Sequence, residues 1–93
     1  MIEVKEAVAN AIRFLGEMYR SKLSNETITD IRLEEVELVE DGPCWMVTLS
    51  YLQRLTPKQL ANAIEGSPVR EYKVIALSAE TGEIRSMKMK QLA

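Results

Sequence analysis

Three clustered carboxylates, Glu34, Glu35 and Glu37, and one thiol, Cys44, are the residues whose types could serve acid–base or nucleophilic chemistry. Paired carboxylates work as acid and base only when they share a cleft that pushes their titrations apart. On an extended segment Glu34 and Glu35 point to opposite faces, whereas Glu35 and Glu37 share a face as a solvated row. Cys44 follows Pro43 with no cation nearby to lower its pKa, which describes a buried or edge thiol rather than a nucleophile. The chain has no His and no second Cys, so the usual zinc ligand sets and an intramolecular disulfide are excluded. Its four glycines are scattered and build no phosphate-binding loop. The sequence therefore points away from an enzyme, and no catalytic, cofactor-binding or metal-binding residue is assigned.

The elements around these residues are easier to read. Cys44 to Arg54 alternates with a period of two: Trp45, Val47, Leu49 and Tyr51 point one way, and Met46, Thr48, Ser50 and Leu52 the other. The first set is large and apolar, as expected of a central strand with a helix over one face and a partly wet second face. From Ile2 to about Leu23, Val4, Val8, Ala11, Leu15 and Met18 recur at helical spacing, with Ala7, Ile12 and Tyr19 widening the stripe. Glu3 and Glu6 near the start and Arg20 and Lys22 near the end suit the helix dipole.

Thr29 to Glu40 reads as a first strand whose apolar phase slips. Ile31 and Leu33 share one parity, while Val36 and Leu38 have the other, so a bulge near Glu34-Glu35 is expected to restore a single inward face. Asp41-Gly42-Pro43 supplies the turn into the central strand. Beyond Arg54, Thr56, Pro57 and Gln59 form a helix start and Gly66 a stop, giving a short helix from Pro57 to Glu65. Such an insert is either a lid over one end of the core or an exposed contact element. Val69 to Ser78 is a strand apolar on both faces at its centre, and Ala79 to Glu83 is a tight turn with Gly82 at positive φ. Glu83 to about Lys90 is a last, edge strand carrying Arg85, Lys88 and Lys90.

The expected architecture is one α+β domain over 1–93: a long N-terminal helix on a four-stranded antiparallel sheet, with the short helix inserted between strands 2 and 3. At 93 residues, 46% of them apolar and 28% charged, the chain is ordinary for a globular domain with a single core. Its formal charge is −2 but unevenly spread. The segment before the central strand is acidic, relieved only by Arg32, and the C-terminal third is basic, as expected of solvated strand faces that pair with one another. A nucleic-acid surface would need more net positive charge and interleaved aromatics, so no nucleic-acid partner is expected. No window approaches eighteen consecutive apolar residues and the N-terminus is too charged for a secretion signal, so neither a membrane span nor export is expected and the location expected is cytoplasmic.

The last hairpin carries a family resemblance. Tyr72, Val74, Ala79, Thr81, Gly82, Glu83 and Ile84 stand as in the terminal hairpin of PepSY-type domains, and Lys5-Glu6-Ala7 is similar to that family's helix motif. Ser78 stands where the family usually has Asp. The resemblance implies a helix followed by an antiparallel sheet and a non-catalytic, regulatory or inhibitor-like role. It would also allow an extracytoplasmic location if the chain is an excised domain. The cystatin-like shape is similar too, but its Gln-x-Val-x-Gly hairpin is absent, and Gln53-Arg54-Leu55 does not supply it.

One helix covers only one face of such a sheet, which leaves the other for a contact. Met46, Leu52, Met87 and Met89 are the expected partner-binding residues, since flexible thioethers adapt to a partner. The function expected is a small non-catalytic protein-binding or regulatory module. Its alternative is a structural homodimer or accessory subunit assembled through the open sheet face.

Overall fold

The computed structural model describes residues 1–20, 27–54 and 69–90. Helix α1 (Val4–Arg20) precedes strands β1 (Thr27–Val39), β2 (Cys44–Arg54), β3 (Val69–Ser78) and β4 (Ile84–Met89). The strands form one sheet in the order β1-β2-β3-β4, each antiparallel to the next. This is the α+β arrangement expected, a helix with a four-stranded antiparallel sheet. The expected Pro57 to Glu65 helix lies outside the described residues, as does the stretch beyond Arg20 that was to complete the first helix.

Residues directly opposite in a ladder share a face. The pairs Trp45–Leu77, Val47–Ile75 and Tyr51–Glu71 therefore lie on the helix side of β2 and β3, and Leu33, Val36 and Leu38 join them from β1. Val47, Leu49, Tyr51, Ile75 and Leu77 are fully buried with Ala11 and Leu15, while Val8 and Trp45 are partly buried against them. The helix is turned from the stripe its sequence suggests. Ala7, Ala11 and Leu15 are its buried residues, and Val4 and Met18 are exposed at 40% and 41%. Alanines at the contact let the helix axis lie close to the sheet, and close packing selects that orientation over one that seats the larger valines.

Strand β1 slips its register twice, between Leu33 and Glu35 and between Thr29 and Arg32. The first slip is the bulge expected near Glu34-Glu35. At the second, Asp30 has a φ of 53°, a left-handed conformation that Asp tolerates better than most residues.

The β3–β4 hairpin closes through Gly82 N donating to Ser78 O at 2.8 Å and Ser78 N donating to Glu83 O at 2.8 Å. Gly82 has a φ of 80°, the positive value expected of it. Ser78 Oγ accepts from the backbone N–H groups of Glu80 (3.2 Å) and Thr81 (3.3 Å), the part an Asp carboxylate plays in such a turn. The hairpin also holds the start of the chain: Ile2 N donates to Ala79 O at 2.7 Å, and Trp45 Nε1 donates to Ile2 O at 3.2 Å.

Candidate functional site

The sheet register divides the four expected contact residues between two faces. Met46 and Leu52 lie on the outer face, beside Ala76 and Arg70 of β3. Met87 pairs with Ile75 and packs against the core under the helix, and Met89 pairs with Lys73 on that same side. Met46, Leu52 and Met87 are half-buried, and Met89 is 60% exposed. They do not form one patch.

Between Met46 and Leu52 the outer face is small and polar. Thr48 and Ser50 are buried there, together with Ala76 and Ser78. Ser50 Oγ donates to Glu34 Oε1 at 3.2 Å and accepts from an Arg70 guanidinium nitrogen at 2.8 Å. Arg70 also pairs with the Asp30 carboxylate and donates to Asp30 O at 3.3 Å, while Arg32 lies 2.9 Å from the same carboxylate. Two cations thus hold the residue that carries the strained backbone of the bulge. Lys90, just past β4, reaches Glu35 at 3.7 Å and links the two ends of the sheet across this face. The acidic and basic segments of the sequence meet here as paired rows. None of these carboxylates is buried alone in a cleft, which is what acid–base work would require.

On the helix side, Tyr51 is fully buried with its hydroxyl between two partners. It donates to Glu71 Oε2 at 3.1 Å and lies 2.6 Å from Tyr19 Oη. Since a phenol has one proton, Tyr19 is the donor in the second bond, and the chain runs Tyr19 to Tyr51 to Glu71. Burial, then the Tyr19 hydrogen bond, then the Glu71 carboxylate raise the Tyr51 pKa far above the ordinary phenol value. A phenol held neutral in this way is a structural strut. Cys44 is buried, with its Sγ 3.8 Å from Met46 Sδ.

A concave surface that the sequence did not single out lies where α1 overhangs β1. Val4, Lys5, Val8, Ala9, Ile12 and Leu33 line an open groove of about 360 Å³ that is almost wholly apolar. Leu33 is 47% exposed although its register places it on the helix side, so the side of the groove away from β2 is left uncovered by the helix. The signal available in the sequence was the width of the helix stripe: Val4, Val8 and Ile12 make a second apolar row beside Ala7 and Ala11.

Among the described residues, no cluster of His, Cys, Asp and Glu is placed to hold a metal ion, and no helix is long and apolar enough to cross a membrane. No protein-family model, curated protein or solved structure matches the chain at a significant level.

Proposed function

We propose that this chain is a small non-catalytic protein-binding module whose contact surface is the groove between α1 and the edge strand β1. The observation that carries it is the groove itself, an apolar concavity of about 360 Å³ lined by Leu33, Val4 and Ile12 on a 93-residue domain. Exposed apolar surface gathered at one place, beside a strand edge with no second neighbour among the described residues, is the usual mark of a contact site. A cytoplasmic setting, a PepSY-like hairpin and a Pro57 to Glu65 helix acting as lid or contact element belong to the same proposal. A second reading, self-assembly through the outer face, is favoured by half-buried Met46 and Leu52.

A benzoyl-phenylalanine photo-crosslinker in place of Leu33, used in the native cell, tests the groove. Protein adducts at Leu33 that are lost in a Val4→Lys, Ile12→Lys background support it. Absence of any adduct from Leu33, with adducts from the same probe at Met46, refutes the groove in favour of the outer face.

A further inference from the structure

The two outer edges of the sheet are complementary to each other. In the order β1-β2-β3-β4 the outer strands are β1 and β4, and neither has a second neighbour among the described residues. On the outer face β1 presents Glu35 and Glu37, while β4 and the residue after it present Lys88 and Lys90. On the helix side β4 ends in Met89, 60% exposed, and β1 offers Leu33, 47% exposed, at the mouth of the apolar groove. Along the chain, Met87-Lys88-Met89-Lys90 alternates apolar with basic, which is the pattern an added strand needs to match the two faces of β1.

Resting on the protein-binding reading above, we propose that the partner is a second copy of this chain, which lays its β4 along the outer edge of β1 with Met89 in the α1–β1 groove and Lys88 beside Glu37. Topology permits this without turning the incoming copy over. Because each strand is antiparallel to the next, β4 runs antiparallel to β1, and a copy displaced sideways brings β4 against β1 in antiparallel register with its helix on the same face. Charge selects the pairing. Joining β1 to β1 sets glutamates against glutamates, and joining β4 to β4 sets lysines against lysines; only the unlike edges attract. The lysines that deter indiscriminate edge pairing thereby specify one partner edge.

Such a contact is head-to-tail and leaves an unused edge at each end of the assembly. Each strand step of a sheet twists by roughly 20–25°, so four strands rotate successive copies by about a quarter turn. The result is an open, winding series of oligomers that lengthens with concentration, not a closed two-fold dimer.

Sedimentation velocity on the purified chain over a wide concentration range tests this, using Glu37→Lys and Lys88→Glu. Neither residue belongs to the Glu35–Lys90 ion pair, and both are exposed, so the fold is retained; circular dichroism checks that. The wild type is expected to form a concentration-dependent ladder of species. Each reversal alone should weaken association by roughly tenfold or more, and an equimolar mixture of the two variants should restore it, because like charges at the contact again become unlike. A wild type that stays monomeric, a discrete dimer that does not grow, or association unaffected by both reversals overturns self-assembly through these edges. If the purified chain is monomeric yet Leu33 still crosslinks to a different protein in the cell, the protein-binding reading stands and the self-docking one falls. If Leu33 yields no adduct either, both fall.

Discussion

Two glycines at positive φ allow backbone strain to be separated from packing. Gly42 in the β1–β2 turn has a φ of 68° and Gly82 in the β3–β4 turn a φ of 80°. A Cβ on Gly42 would meet nothing within 4 Å, whereas one on Gly82 would lie 2.9 Å from Asn10 Nδ2 and 3.4 Å from Ile2 Cδ1. Gly42→Ala therefore carries only the left-handed penalty of an L-residue, about 1–2 kcal/mol. Gly82→Ala carries that penalty and also displaces Asn10 from the position in which it accepts a hydrogen bond from Arg13. Moving one flexible side chain off its rotamer costs about 0.5–1.5 kcal/mol, which brings the second variant to about 1.5–3.5 kcal/mol. Gly82→Asn relieves part of the backbone term, since Asn tolerates this conformation, and leaves the contact. Urea unfolding followed by the fluorescence of Trp45, the chain's one tryptophan, measures all three. Equal losses for Gly42→Ala and Gly82→Ala, or a neutral Gly82→Ala, would show that the hairpin does not pack against the helix as described.

Leu49→Ala, at a fully buried position in mid-strand, should cost about 2–5 kcal/mol, and an unchanged denaturant midpoint would mean that the phase of β2 is wrong. Tyr51 holds its proton more tightly folded than unfolded, so the stability this supplies is whole below about pH 10 and is lost as pH rises beyond it; Tyr51→Phe should flatten the alkaline fall in the urea midpoint measured from pH 8 to 11, and parallel curves would exclude that linkage. Arg70, whose side chain is 19% exposed and bonds Ser50 and Asp30, should cost about 1–2 kcal/mol on change to Met. Arg32, 61% exposed, should cost under about 0.5 kcal/mol on the same change, and equal midpoint shifts would contradict this ranking.

Strands β2 and β3 were legible to the residue, because period-two alternation was bounded by Gly42-Pro43 and by Pro68 and the Thr81-Gly82 turn. The bulge at Glu34 was legible too, since burial forces an apolar phase slip to be repaired locally. The slip at Asp30 was not, because the polar Ser24 to Thr27 stretch reads as a turn and a strand starting at Thr29 excludes Ile28, whose parity against Ile31 shows the slip. What defeated the site was pairing between strands. The face on which Met87 and Met89 lie is set by their register with Ile75 and Lys73, across a shift between Ala76 and Leu77. Strand β4 records that shift only as the change of parity between Ile84 and Met87, which does not say which face the methionines take. The groove was hidden for a related reason: the helix stripe fixes which residues are apolar, and the fit of Ala7 and Ala11 on the sheet decides which of them remain uncovered.

The bond from Ile2 to Ala79 joins the first turn of the chain to its last hairpin. Every strand pairing is between sequence neighbours, whereas this clasp must wait until nearly the whole chain has been made. The clasp at Ile2 is then expected to close late in folding and to open early. The Ile2 amide should exchange its hydrogen by a local route well before the amides of β2 and β3, which open only with the whole domain. On a ribosome, a nascent chain released only as far as β2 has the amphipathic helix and the β1–β2 hairpin but not the β3–β4 turn that Ile2 bonds.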